Sequence, residues 1–209
     1  MPATRTIQAV DLAQTDEQLW HAVVRGDGVA FAAVFDRHGD RVWRHAWRLM
    51  QHRQDTEDVT AAAFAEAWRS RRRVRIVDGS VLPWLLATTT NCARNASRSI
   101  RRNQRLIAHI PLGPDAPDAA DVAVDRLERL DAGSAVAQAL RELPEQDARL
   151  ISLVLLEELP LADAASAIGL GYGAAKTRIH RAKTKLRAVL ERHGAAPGLD
   201  HLDLEEVPA

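Results

Sequence analysis

The side chains best placed to do chemistry in this chain are cationic. Between Lys176 and Arg187 the sequence carries Lys176, Arg178, Arg181, Lys183, Lys185 and Arg187 with no acidic residue among them. Lysine and arginine neutralise phosphates, and a helix that offers them on one face suits a DNA major groove. A solvated basic face would hold the same charges. DNA is favoured by the surrounding pattern: Ala164, Ala165 and Ile168 share a helical face, Gly169 makes a turn, and Leu170, Ala175 and Ile179 line the next helix. Small residues let two short helices cross closely, as in a helix-turn-helix over 161–187. A second set lies between Pro83 and Arg105, where Asn91 and Asn95 stand among Arg94, Arg98, Arg101, Arg102 and Arg105. Amides read exposed base edges and arginines hold the backbone, and single-stranded bases are the ones with fully available edges. An amphipathic helix with a solvated arginine face and Trp84 in the core fits that stretch equally well.

Asp55, Glu57 and Asp58 gather at a helix start, where the dipole and capping favour carboxylates whatever their role. No histidine at ligand spacing accompanies them, so neither a metal site nor an acid–base catalyst is expected there. Beside Val59 and Phe64 the cluster reads as a protein-docking edge. The 8 histidines lack any HExxH-like spacing and read as surface or partly buried. The single cysteine, Cys92, excludes an internal disulfide and a Cys-based zinc cluster, which points to a reducing compartment. Neither catalysis nor a cofactor is expected.

These side chains must be positioned by helices. Hydrophobic content is 46%, and 28 basic residues balance 28 acidic ones. The balance conceals segregation, with arginine-rich blocks at 37–75 and 94–105 against acidic blocks at 115–131 and 200–206. No apolar run approaches the roughly twenty residues needed to span a bilayer, and no signal peptide is recognisable. A cytoplasmic location without membrane insertion is expected. Residues 1–15 read as a loose leader. Asp16 can cap a helix from about Glu17 that carries Leu19, Trp20, Val23 and Val24. Helices follow at 29–37 and from Val42 to Met50, with a bend expected at His38-Gly39, and Asp55 starts another. Pro83 opens the asparagine and arginine helix, in which Thr88, Thr89 and Thr90 are poor formers that packing or a ligand must justify. Residues 110–124 hold prolines and aspartates and cannot build a core. Helical signal resumes at about 125–142 and again over Gln146–Glu157. The expected fold is all-α, with helical domains at 16–108 and 133–192, a flexible acidic linker at 109–132, and a disordered acidic tail at 193–209.

The blocks DRHGDRVWRHAWRLMQHRQDTEDVTAAAFAEAWR and PWLLATTTNCARN resemble region 2 of bacterial sigma factors of the sigma-70 family, in particular the extracytoplasmic-function (ECF) subgroup. LPEQDARLISLVLLEELPLADAASAIGLGYGAAKTRIHRAKTKLR resembles that subgroup's region 4. Order and spacing agree over about residues 16–190. The resemblance implies docking on RNA polymerase core through Asp55, Glu57, Asp58, Val59 and Phe64. It implies recognition and melting of the promoter −10 element by the Pro83–Arg105 helix, with Asn91 facing a captured base, Arg94, Asn95 and Arg98 beside it, and Arg101 and Arg102 continuing the basic end. It implies −35 binding by Lys176, Thr177, Arg178, His180 and Arg181. The partners implied are RNA polymerase core, promoter DNA and, in many members, an anti-sigma protein. Two departures weaken single contacts: Ala61-Ala62 stand where the family often has Gln-Glu, and Ala174 removes a hydroxyl from the recognition helix. Two rivals compete with this reading. One is a polymerase-independent helix-turn-helix regulator with an N-terminal dimerisation or sensing domain. The other is an enzyme or metal protein using Cys92 and nearby histidines.

Overall fold

A capping box opens the first helix. Thr15 Oγ1 accepts from the Gln18 amide while Gln18 Oε1 accepts from the Thr15 amide at 3.0 Å, which satisfies orphan donors at both positions. In the computed structural model, which describes residues 14–107 and 135–192, α1 runs Asp16–Val24. Asp16 is therefore not the cap that the sequence suggested. Its carboxylate turns inward, where Arg37 Nη1 donates to Oδ1 at 2.7 Å and His38 Nε2 lies 2.7 Å from Oδ2. The Val81 amide and the Ser80 hydroxyl each donate to Oδ2 at 3.0 Å. One buried side chain thus ties α1 to the second helix and to the turn before the fourth.

Helix α2 (Gly28–Met50) starts at Asp27, whose carboxylate accepts from the Val29 and Ala30 amides. It continues through His38-Gly39 without the expected bend. His38 is held by Asp16, and an interior glycine costs a helix only about 1 kcal/mol. Helix α3 (Arg53–Arg69) begins ahead of Asp55 because His52 caps it, with Nδ1 accepting from the Asp55 amide. Helix α4 spans Leu82–Ile107. After it come α5 (Ala135–Glu142) and α6 (Glu145–Ile151), which continues as a π-helical turn over Ser152–Leu156. Helices α7 (Leu161–Ile168) and α8 (Tyr172–Arg192) complete the described chain. Among the described residues there is no β-strand, only one bridge between Val77 and Ser80. The fold class is all-α, as the periodicity indicates. The leader apart from Gln14 and Thr15, the linker at 109–132, the first part of the 125–142 helix and the tail at 193–209 lie outside the described residues.

The apolar residues form two clusters that meet on α4. Leu19, Trp20, Val23, Val34 and Phe64 pack with Val81 and Leu85 in the front group of helices. Leu86, Ala87 and Ala93 pack instead with Leu49, Met50, Leu150, Ile151, Leu153, Ile179 and Leu186. Leu85 and Leu86 are adjacent in sequence and about 100° apart around the helix, so they serve different cores. Each fully buried leucine contributes about 1.5–3 kcal/mol. The threonines are explained by the same burial: Thr89 and Thr90 are enclosed, and their hydroxyls donate to the Leu85 and Leu86 carbonyls.

Burial pushes the Asp16 carboxyl up, but hydrogen bonds from His38, the Val81 amide and Arg37 outweigh it and hold the group well below the usual carboxylate range. A depressed folded-state value adds stability that is fully present above the unfolded value of about 3.9 and is lost as pH falls through the folded one. Asp16→Asn should lower stability by about 3 kcal/mol at neutral pH. Urea denaturation should show the gap between parent and variant closing as pH falls below about 4.

Candidate nucleic-acid interface

The turn between α7 and α8 is set by Gly169, which takes φ 76°. A side chain is strained in that left-handed conformation, and the Leu170 amide closes the turn on the Ala165 carbonyl at 2.9 Å. Ala164 and Ala165 on α7, and Ala175 and Ile179 on α8, are buried where the helices cross. The crossing leaves Lys176, Thr177, His180 and Arg181 exposed on the outer side of α8. Arg178 is different. Its Nη1 donates to Asp147 Oδ1 at 2.7 Å, and Lys185 Nζ reaches Asp147 Oδ2 at 3.3 Å. Asp147, absent from the sequence reading, is buried on α6 and fixes how α8 is presented. Lys183 is buried as well, so the basic face is narrower than the sequence count suggests.

On α4, Asn95, Arg98, Arg101 and Arg102 are exposed. Asn91, Asn95, Arg98 and Arg102 fall at i, i+4, i+7 and i+11, which is one side of the helix. Asn91 Nδ2 donates to Glu145 Oε1 at 2.9 Å, at the start of α6. Arg94 does not join the exposed stripe. It is 3% exposed and donates to the Leu140 and Leu143 carbonyls at the end of α5. A guanidinium there complements the negative helix terminus and satisfies acceptors that the helix leaves open. Arg94 therefore acts in this arrangement as a cap between helices.

The acidic edge of α3 divides in the same way. Glu57 and Asp58 are exposed, but Asp55, Val59 and Phe64 are only 4%, 2% and 4% exposed. Phe64 packs against Phe35 and Phe31 with ring centroids 4.7 and 6.2 Å away. The surface that α3 offers consists of Glu57, Asp58, Ala61, Ala62 and Ala65, with exposed Phe35 of α2 alongside. The buried members support that surface from behind.

A further constellation lay outside the sequence reading. Glu157, which follows the π turn, is 5% exposed. Its Oε1 accepts from His45 Nδ1 at 2.7 Å and Arg48 Nη1 at 2.8 Å, and its Oε2 accepts from Arg41 Nε at 2.8 Å. An ionised carboxylate only accepts, so Nδ1 of His45 carries the proton. The other ring nitrogen lies 2.9 Å from Thr90 Oγ1, which is 2.8 Å from Ser152 Oγ. Burial raises the Glu157 carboxyl, but His45, Arg41 and Arg48 bring it below its ordinary range. His45 is wholly enclosed and His38 is 8% exposed, so these two histidines are core residues and not surface ones. The available signal was the spacing of Arg41, His45 and Arg48 at i, i+4 and i+7 on one face of α2. Cys92 is half-buried and its thiol is pushed up to about 11 by burial and by Glu66, which makes it a poor nucleophile. Among the described residues no group of three or more His, Cys, Asp or Glu could hold a metal ion, and no helix is long and apolar enough to cross a membrane.

Comparison with known proteins follows the same division of the chain. Residues 34–106 match the family described as Sigma-70 region 2, and residues 134–186 match Sigma-70, region 4. The chain is 30% identical over 177 residues to the ECF RNA polymerase sigma factor SigM of Mycobacterium tuberculosis, covering 85% of each chain. It is 26% identical over 174 residues to the ECF RNA polymerase sigma factor SigW of Bacillus subtilis, covering 80% of this chain and 92% of that one. With the ECF RNA polymerase sigma factor SigE of Mycolicibacterium smegmatis the identity is 30% over 160 residues, 76% of this chain but only 61% of that relative. Among solved structures, CnrH in complex with the cytosolic domain of CnrY aligns with a TM-score of 0.50 at 22% identity, over 86% of this chain and 99% of that chain, a likeness of fold.

If the exposed face of α8 neutralises phosphates, Arg181→Ala should reduce the slope of log affinity against log salt for duplex DNA by about 1. Fluorescence anisotropy across a salt series measures this, and an unchanged slope would remove Arg181 from the interface.

Proposed function

From the premise that the chain belongs to the sigma-70 family, in its ECF subgroup, we propose that it binds RNA polymerase core, directs it to specific promoters and helps to open promoter DNA. The observation that carries this reading is the pair of matches in chain order, region 2 at 34–106 and region 4 at 134–186. A polymerase-independent regulator is not favoured, because its front half would be a dimerisation or sensing domain. Sigma factors are DNA-binding regulatory proteins. The metal and the polymerisation chemistry therefore belong to the core enzyme, and this chain acts by positioning, without a cofactor of its own and in the cytoplasm where polymerase works.

Within that function we assign residues 16–108 to core docking and the −10 element, and residues 133–192 to the −35 element. Glu57 and Asp58 offer charge to the polymerase, on a helix seated by Asp55, Val59 and Phe64. Asn91, Asn95, Arg98, Arg101 and Arg102 face melted DNA, with Asn91 at the captured base and Arg94 fixing the helix against the end of α5. Lys176, Thr177, His180 and Arg181 contact bases and phosphates upstream, and Arg178 joins them after exchanging Asp147 for DNA. Two weak contacts on one chain gain affinity through effective concentration. CnrH, of similar fold, is seen with the cytosolic domain of CnrY, and an anti-sigma protein is the third partner proposed here.

Run-off transcription with purified core polymerase and a promoter library, with and without this chain, tests the proposal. Activation of a defined promoter set and co-migration with core are expected, and silence on every promoter without co-migration rejects it. Asn91→Ala should slow promoter opening, read with a permanganate footprint, more than it weakens the closed complex. Equal opening by variant and parent would displace Asn91 from its assigned role.

A further inference from the structure

The basic run at the end of α3 has no part in the proposed function. Arg69, Arg71, Arg72 and Arg73 fall within five residues, and with Ser70 they line a concavity of about 650 Å3. The turn they form is pinned on several sides. Its backbone is closed by the Ser70 amide on the Glu66 carbonyl at 2.8 Å and by the Arg73 amide on the Ser70 carbonyl at 2.7 Å. From α1, Trp20 Nε1 donates to the Arg71 carbonyl at 3.0 Å. The Arg71 guanidinium lies over the Trp68 ring, 5.0 Å from its centroid, and its Nη1 donates to the Trp68 carbonyl. Arg71 Nε is buried without a hydrogen-bond partner among the described residues, a donor that the fold leaves open.

The protein answers only part of this charge. Glu66 is the carboxylate at hand, and it is engaged by Arg69 and by Ser70 Oγ. Arg72 and Arg73 are exposed, and their side chains make no hydrogen bond or ion pair with the described residues. Arg75 does not join them, because its guanidinium lies against Gly169. Like charges repel, so the fold gains nothing by itself from holding these guanidinia on one short turn. A guanidinium is always charged and its fork of donors matches phosphate oxygens in pairs. Shape then separates one phosphate ligand from another. An extended strand sets its phosphates along a line and is tracked by a linear stripe such as Asn95, Arg98 and Arg102 on α4. A concavity lined by arginines of a single turn suits several phosphates joined in a short chain, and its volume falls in the range of small-ligand sites.

We propose that the turn at 69–73 is a binding site for a compact polyphosphate, the chemistry that a nucleoside triphosphate and an inorganic polyphosphate share. Arg72 and Arg73 offer their forks to phosphate oxygens, Arg69 adds charge from the end of α3, and Arg71 keeps the turn in shape against Trp68 and Trp20. The site is separate from the α4 stripe and from the face of α8, and it does not rest on the proposed sigma function. Its occupation is felt on α4, because Arg69 and Glu66 already act on the Cys92 thiol of that helix. A bound polyphosphate sets negative charge where the free turn has positive charge, which opposes the approach of DNA to α4.

Isothermal titration of the full chain with sodium tripolyphosphate, at low ionic strength and without divalent metal, tests this with neither polymerase nor promoter present. Saturable binding is expected, and Arg72→Ala combined with Arg73→Ala should weaken it at least about tenfold. Arg98→Ala combined with Arg102→Ala removes the same charge from α4 and should weaken it less than about twofold. A loss shared equally by the two double variants, or seen in neither, overturns the proposal. Adenosine triphosphate in place of tripolyphosphate separates the two sources. Tighter binding of the nucleotide assigns the site to nucleoside triphosphates, and equal binding assigns it to the phosphate chain alone; both support the site. Single-stranded oligothymidylate is the third ligand, and it should lose more affinity from the α4 pair of substitutions than from the turn pair. The reverse order would make the turn a strand contact and remove the polyphosphate assignment. Silence in the run-off assay would strike the proposed function and leave this site standing.

Discussion

Helix α4 is buried on two sides, and the rest of the structure follows from how those sides are covered. Leu85, with Val81 just ahead of the helix, faces the front cluster, while Leu86, Ala87 and Ala93 face the rear one. A helix in that position has few places left for polar groups, so those on its buried flanks need partners. Thr90 finds His45 and Ser152, and Arg94 finds the end of α5. The exposed stripe of Asn95, Arg98 and Arg102 is what remains after both cores have been served. Position along that one helix therefore decides whether an asparagine or arginine binds protein or is left exposed.

Helix α2 braces α4 by a repeated device. His38 and His45 stand seven residues apart, and each is paired with a carboxylate from a distant element, Asp16 in the first case and Glu157 in the second. Arginines join each pair, Arg37 with Asp16 and Arg41 and Arg48 with Glu157. Moving a carboxylate out of water costs several kcal/mol, and only multiple well-placed donors offset that. The two nodes have different consequences. Asp16 joins elements of the front group, so its pairing stabilises a single body. Glu157 joins the front group to the rear one, so its pairing fixes an arrangement. Fully satisfied polar networks favour one geometry strongly over near alternatives, and here the network lies beside the apolar cluster that joins the same two groups.

Much of this protein was determined by the sequence itself. Apolar spacing over Leu19 to Val24, Val42 to Met50 and Val59 to Trp68 specifies helices, because a 3.6-residue period has no other use in a chain without alternation. The Gly169 turn between small residues is equally local: a left-handed backbone and a close crossing constrain residue type at the positions themselves. The motif blocks and their order are linear properties too, and with them the family. Tertiary structure alone decided which charged residues are free. Asp55, Val59 and Phe64 belong to the docking block by sequence, but three-dimensional packing turns them inward and leaves Glu57 and Asp58 outside. Arg94 and Arg98 are four residues apart and chemically identical, yet one is enclosed by α5 and the other faces solvent. Asp16, a sound cap by its position before a helix, became a tertiary anchor because Thr15 already supplied the capping box. His45 and Glu157 are more than a hundred residues apart, and nothing local marks them as partners. Helix periodicity records which residues face inward, but it is silent on what they meet there, because burial and pairing depend on elements that only the folded chain brings together.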